Sequence, residues 1–466
     1  MTDTATQAGT QTFDIVILGA GSGGYAAALR ASELNMTVAL IEKDKLGGTC
    51  LHRGCIPTKA LLHAGEVADS ARESSQFGVE TTLNGINMPG VNTYKDGVVS
   101  RLYKGLQGLV KARGVTFVSG SGRLTGPKTV AVDGTDYVAT KAVILATGSY
   151  PRSLPGLDIG GRVITSEQGL QLDWVPRKAV VLGGGVIGVE FASAWRSFGA
   201  EVVIVEALDR LLPLDDEASS KALERAYRRR GIEFKTGVRF SGVTQDDGGV
   251  HVTLEDGSIV DADLLLVAVG RGPNSRDNGF EEQGIAFDGP HVAVDERLRT
   301  NVAGVYAVGD LIPGPQLAHA GFQEGIFVAE DIAGLNPAVI DFAGIPRVTY
   351  SEPEVASVGL TEAQARDKFG ADGIETFTYD LAGNGKSQIL KTAGFVKLVR
   401  AKQGPVVGVH MVGSRVGELL AEAQLIYGWE AQPEDVAPFI HAHPTMSEAV
   451  GEAHLALAGK PLHVHG

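Results

Sequence analysis

A strand that runs into three spaced glycines, then a helix, then a second strand ending on an acid, occurs twice in this chain. Nothing else in the sequence constrains the fold as much. The first copy passes from the apolar stretch Phe13–Leu18 into Gly19-Ala-Gly21-Ser-Gly-Gly24, through the helix-like YAAALRASEL, and closes on Val38–Ile41 and Glu42. The second passes from Lys178–Leu182 into Gly183-Gly-Gly185-Val-Ile-Gly188, through VEFASAWRSFG, and closes on Glu201–Val205 and Glu206. In both copies the acid lies 23 residues beyond the first glycine. This is the order of a dinucleotide-binding unit. Glycines let backbone N–H groups approach a pyrophosphate, the helix N-terminus favours the anion, and the acid accepts hydrogen bonds from a ribose. Tight helix–strand packing accounts for one glycine per copy, which leaves the others for a ligand.

Each copy is followed by a further apolar strand ending in glycine, AVILATG up to Gly148 and LLLVAVG up to Gly270, and a third such strand, VYAVGD, ends at Gly309-Asp310. Two nucleotide folds imply two cofactors, and a hydride relay between a flavin (FAD) and a nicotinamide is the economical reading. A carboxylate at Glu206 repels a 2'-phosphate and pairs with free ribose hydroxyls, which favours NAD over NADP, although Arg210 lies nearby. The alternative for Glu206 is a solvated strand end.

A chain of 466 residues exceeds what one core usually serves and implies two to four domains. The net charge of −14, with no basic run, argues against nucleic acid as a partner. No apolar stretch is long and uncharged enough to span a membrane. The polar stretch Met1–Gln11 reads as neither signal nor transit peptide, so the expected location is cytoplasmic.

The chain holds two cysteines, Cys50 and Cys55, with four residues between them, in Gly47-Gly-Thr49-Cys50-Leu-His-Arg-Gly-Cys55-Ile-Pro-Thr-Lys59. So short a loop makes a poor structural staple, and cytosolic thiols are normally kept reduced. The pair therefore reads as redox chemistry or metal binding. Zinc would need further ligands, and no second cluster of Cys or Asp supplies them. The spacing and Gly54 suggest that both sulfurs meet within one helical turn. Since the motif begins just after Glu42, it starts beside the first cofactor. Lys59, four residues beyond Cys55, shares its helix face. Near the C-terminus lies His441-Ala-His443-Pro444-Thr-Met-Ser-Glu448. A histidine suits proton removal from a thiol at neutral pH, and a carboxylate on its other nitrogen would fix the ring. Glu448 also fits a helix capping box with Thr445, and His441 and His443 could be ordinary core or interface histidines.

The stretch GGTCLHRGCIPTKALL, the terminal HPTMSE, both glycine fingerprints and VYAVGD, in this order over nearly the whole chain, resemble the pyridine nucleotide–disulfide oxidoreductases. The resemblance implies an α/β fold: two Rossmann-like dinucleotide-binding domains plus a C-terminal α+β dimerisation domain. FAD would be held by residues 1–150, NAD by 151–274, the FAD site would be completed by 275–344, and 345–466 would form the dimer. It makes Cys50 the thiol that meets substrate and Cys55 the one against the flavin, pairs Lys59 with Glu190, and assigns Asp310 to the flavin ribityl chain. Thr49 joins the cofactor-binding residues, His443 becomes the base and Glu448 its partner, supplied across a homodimer interface. GCIPTKALL, Glu206 and the lack of further cysteines match the branch that oxidises dihydrolipoamide with NAD, whose partners are lipoyl-bearing acyltransferases or carrier proteins. His52-Arg53 departs from the asparagine and small apolar residue that many members carry. A glutathione reductase should show basic residues where Glu206 stands, and a mercuric reductase a C-terminal cysteine pair. A flavin-free scaffold would not need Cys50, Cys55 and His443.

Overall fold

The apolar run Phe13–Leu18 belongs to the central strand of a parallel sheet. In the computed structural model, which describes residues 9–464, strand Thr10–Leu18 lies between Val38–Glu42 and Thr135–Leu145. Most of the Met1–Gln11 stretch read for a leader falls outside these residues. Thr116–Ser119 adds one parallel edge and Val305–Ala307 the other, while Arg123–Gly126 and Thr129–Val132 hang from it as an antiparallel pair. Ile15, Val16 and Ile17 are fully buried, so both sheet faces are covered and the sequence shows a continuous apolar run instead of alternation. The VYAVGD strand thus joins the first nucleotide fold despite lying about 160 residues beyond Thr135–Leu145. The helix that follows it, Ala318–Ile332, packs on Ser22–Glu33 with backbone against backbone, because a Cβ on Gly325 would overlap the Gly23 carbonyl oxygen.

A second parallel sheet has the order Ile232–Lys235, Glu201–Val205, Lys178–Leu182, Leu264–Val267, Val163–Thr165. The chain leaves the first fold through Ser149–Pro151 and returns through Arg271–Pro273, and these two short strands pair antiparallel at the crossing. A three-stranded antiparallel sheet, Phe240–Gln245, Val250–Leu254 and Ile259–Ala262, is inserted before the return. The C-terminal region is a five-stranded antiparallel sheet with helices Leu420–Gly428 and Glu448–Leu457 packed on it. The fold is therefore the expected one. Ahead of helix Leu420–Gly428, Arg415 is left-handed, with φ 56°, and Val416–Leu419 forms a 3-10 turn.

A buried charge cluster joins the second nucleotide domain to the C-terminal sheet. Asp216 caps helix Glu217–Arg230 by accepting from the Ala218 N–H, and Lys397 Nζ lies 2.7 Å from both Asp216 and Glu362. Removing one partner of a buried pair costs about 3 kcal/mol or more because the other charge loses its compensation. Asp216→Ala also uncaps the helix, so calorimetry should show its unfolding midpoint several degrees below that of the parent. Asp216→Asn, which keeps the cap, should fall less.

Candidate active site

The two glycine turns face one continuous cleft of about 1840 Å³. Their glycines do two different jobs. A Cβ on Gly19 or Gly24 would overlap the Ala146 or Gly19 carbonyl, and one on Gly183 or Gly188 would overlap the Ala268 or Gly183 carbonyl. At Gly21 and Gly185 a Cβ would meet nothing within 4 Å, and both residues line the cleft. Packing thus claims two glycines per motif, where the sequence reading allowed it one. The third leaves a helix N-terminus open, without a side-chain cap, for an anion. Gly148 and Gly270, both at positive φ, line the same cleft.

The terminal acids brace these turns in the same way. Glu42 accepts from the Ala20 N–H at 2.8 Å and the Asp44 N–H at 2.9 Å. Glu206 accepts from Gly184 at 2.6 Å and Leu208 at 2.8 Å. Glu206 is buried at the cleft wall, not a solvated strand end. Arg210 donates to the Pro213 and Asp215 carbonyls, so its guanidinium braces the following loop.

Cys50 and Cys55 are free thiols on the cleft wall. They do not share one helical turn. Cys50 lies in the short helix Gly48–Arg53, Gly54 breaks the backbone at φ −139°, ψ −111°, and Cys55 opens the long helix Cys55–Arg72. The break still leaves the two thiols close enough for each to be the largest influence on the other's protonation. The hydrogen bond from Cys50 is the largest influence lowering the Cys55 thiol to about 7; burial opposes it and the Lys59 ammonium adds to it. The same bond, together with burial, holds the Cys50 proton and pushes that thiol well up. The directions differ: the surroundings favour the thiolate at Cys55 and disfavour it at Cys50.

Lys59 points from the Cys55 helix across to the second domain, where its Nζ lies 2.9 and 2.8 Å from the two Glu190 carboxylate oxygens. Glu190 also accepts from the Tyr350 N–H at 3.0 Å, and the Lys59 ammonium sits over the Tyr350 ring. Burial alone would lower the Lys59 pKa, but Glu190 outweighs it and the group stays above its ordinary value. Asp310, in a 3-10 turn, accepts from Ser149 Oγ at 2.5 Å, and Arg271 Nε donates to the same hydroxyl at 2.8 Å.

Several residues of this site carry no sequence signal. Glu324 accepts from the Gly309 N–H at 2.5 Å, and burial pushes its carboxyl up to about 7. Ser149 and Arg271 meet only through the domain crossing. Tyr25 stands near both cysteines, and burial with their charges raises its phenol to about 12, so it keeps its proton. His52 and Arg53 serve the local fold, the first with its ring on the Leu46 carbonyl at 2.9 Å and edge-on to Tyr103, the second paired with Asp44 at 2.5 Å.

His443 Nδ1 lies 2.8 Å from Glu448 Oε1, while Glu448 Oε2 accepts from the Thr445 N–H at 2.7 Å. Glu448 is thus both the histidine's partner and a helix-start acceptor. Its own carboxyl is lowered: burial works against the shift, and the Thr445 and His443 hydrogen bonds outweigh it. The His443 side chain is 77% exposed and does not line the cleft of its own chain. One chain therefore assembles the cysteines, Lys59 and Glu190, and separately the His443–Glu448 pair, but does not bring the two groups together.

A paired-thiol motif at the join of two dinucleotide folds defines a disulfide oxidoreductase of the flavoprotein type. Residues 13–325 match the pyridine nucleotide-disulphide oxidoreductase family and residues 345–454 match its dimerisation domain, and the chain belongs to that family. It is similar to a dihydrolipoyl dehydrogenase of Bacillus subtilis, at 41% identity over 97% of this chain and 99% of that one. It is also similar to the mitochondrial dihydrolipoyl dehydrogenase of Pisum sativum, at 38% identity over 98% and 93%. Among solved structures, LpdA from Mycobacterium tuberculosis superposes with a TM-score of 0.89 at 27% identity, over 95% of this chain and 99% of that one. Dihydrolipoyl dehydrogenases use FAD and NAD, and the open turns at Gly21 and Gly185 suit two dinucleotides. Gly21→Ala should fold, since its Cβ meets no atom, yet purify with less bound flavin, read as the ratio of visible to ultraviolet absorbance. Lys59→Met should leave Cys55 facing Glu190 alone. In a Cys50→Ser background the alkylation midpoint of Cys55 should then move to higher pH.

Proposed function

We propose that this chain is an NAD-dependent dihydrolipoyl dehydrogenase that oxidises a protein-bound dihydrolipoyl group through Cys50 and Cys55. The observation that carries the reading is the Cys50–Cys55 thiol pair beside the Lys59–Glu190 ion pair, placed at the seam of a cleft lined by both open glycine turns. Residues 1–150 and 275–344 hold FAD, with Gly19, Gly21, Gly24, Glu42, Thr49, Gly148 and Asp310 in its site. Residues 151–274 hold NAD, with Gly185 and Glu206 facing it and Gly183, Gly188 and Gly270 shaping its site, and 345–466 form the homodimer interface.

In the oxidised enzyme Cys50 and Cys55 share a disulfide. His443 of the partner subunit takes a proton from one substrate thiol, and Glu448 of the partner subunit stabilises the resulting charge. The substrate thiolate attacks Cys50, the Cys50–Cys55 bond breaks, and Cys55 leaves as the thiolate its pKa favours. The second substrate thiol then displaces Cys50, which leaves with a proton, so the substrate gains a disulfide and the enzyme holds two electrons. FAD, when bound, supplies the two-electron step between Cys55 and NAD. The Lys59 ammonium stabilises the Cys55 thiolate beside it, and Glu190 keeps Lys59 in place. Glu206 favours NAD over NADP, with Arg210 Nη2 turned to the backbone carbonyls of the following loop.

The substrate is carried by a lipoyl-bearing acyltransferase or carrier protein, and the enzyme works in the cytoplasm. Among the described residues no helix is long and apolar enough to cross a membrane. The test is dihydrolipoamide oxidation with NAD and with NADP, run beside reduction of glutathione disulfide. NAD reduction by dihydrolipoamide is expected, with little activity in the other two assays. A protein that purifies colourless, or that reduces glutathione disulfide instead, would refute the reading. Cys55→Ser should abolish lipoamide turnover.

A further inference from the structure

The segment that carries His443 is bare on the surface. Across residues 438–444 every residue is exposed except His441; Phe439 is 68% and Ile440 98% accessible. His441 turns inward, with its side chain 13% exposed and its Nε2 2.7 Å from Glu422 Oε1. Glu422 belongs to helix Leu420–Gly428. The other face of the ring lies on helix Glu448–Leu457, so close to Gly451 that a Cβ there would fall 2.5 Å from His441 Nδ1. His441 is therefore wedged between two helices, and the second of them begins with Glu448, the partner of His443.

We propose that His441 is a positioning residue for His443, with the His441–Glu422 pair as the inward-facing side-chain anchor that ties the segment presenting the base to helix Leu420–Gly428. The proposal rests on the reading of His443 as the base. Only Ala442 separates His441 from His443, so a fixed His441 leaves the His443 backbone little freedom before its ring meets Glu448. The Glu448 side chain is set from the opposite side by the Thr445 N–H. The other side-chain bonds of this segment, from Thr445 Oγ1 to the Ala442 carbonyl and between His443 and Glu448, are local and do not reach back to helix Leu420–Gly428. Gly451 supports the role independently, since a bare glycine face in the interior of a helix costs stability and here makes room for the His441 ring.

The experiment uses the full-length flavin-loaded dimer and two assays. Dihydrolipoamide oxidation by NAD needs the base; NADH oxidation by ferricyanide does not. His441→Ala should lower kcat for dihydrolipoamide by about tenfold or more, and leave the ferricyanide reaction within about twofold. His441→Gln, whose side-chain amide can still donate to Glu422, should recover most of the loss. Gly451→Ala, which displaces the ring without touching its chemistry, should reproduce His441→Ala. His443→Ala is run alongside. If it keeps dihydrolipoamide turnover, the base reading itself fails. If His443→Ala abolishes turnover but His441→Ala does not lower it, or if His441→Ala damages both assays equally, the positioning role is overturned while the base reading stands.

Discussion

Lys59 and Glu190 are the contact on which the rest of the site depends. Lys59 rides on the helix that Cys55 begins, and Glu190 on the helix that the second glycine turn begins. Their ion pair therefore ties the thiols of one nucleotide domain to the cofactor turn of the other. Glu190 is almost wholly buried, and burying a carboxylate is costly unless its charge is met. Here it is met twice, by the Lys59 ammonium and by the Tyr350 N–H, and the second donor comes from the start of the C-terminal sheet region. Three parts of the chain thus converge on one carboxylate. Such a pair contributes little net stability, and its value lies in fixing geometry and local charge.

The Lys59 ammonium adds to a difference between the two thiols that their mutual contact begins. Both cysteines are largely removed from water, which alone would raise both. The backbone break at Gly54 places each thiol where it is the largest influence on the other, and Lys59 lies on the side of Cys55. The surroundings favour the thiolate at Cys55 and disfavour it at Cys50. A pair on one continuous helical turn would have set the two sulfurs in similar surroundings, so the break found in place of that turn is what makes the asymmetry.

Much of this was legible in the sequence, for identifiable reasons. The glycine turns and their acids are local features, with every residue needed for the turn inside a short stretch, and all of them lie where the periodicity put them. The Lys59–Glu190 pair was legible only through family resemblance, since 131 residues separate its members. Ser149, Arg271 and Glu324 were not legible at all. They are brought to Asp310 by the domain crossing and by the late return of Val305–Ala307 to the first sheet, and neither event leaves a local pattern. The division of labour among the glycines was also misjudged: a sequence shows that side chains are absent, but only the neighbouring carbonyls show whether packing or a ligand requires it.

The two acids show how one constraint can serve both fold and specificity. Glu42 and Glu206 each use their oxygens to hold N–H groups of the glycine turn and of the residue two positions on, so each turn is shaped by the carboxylate at the end of the neighbouring strand. A carboxylate oxygen has lone pairs left after one hydrogen bond, and a ribose hydroxyl can donate to those that remain. Replacing Glu206 to admit a 2'-phosphate would therefore take away a ribose acceptor and also two braces of the turn that meets the pyrophosphate. Arg210 Nη2 is turned to the Pro213 and Asp215 carbonyls of the following loop. On the proposed reading of Glu206 as the ribose acceptor, a change of cofactor would require rebuilding the loop as well as the acid.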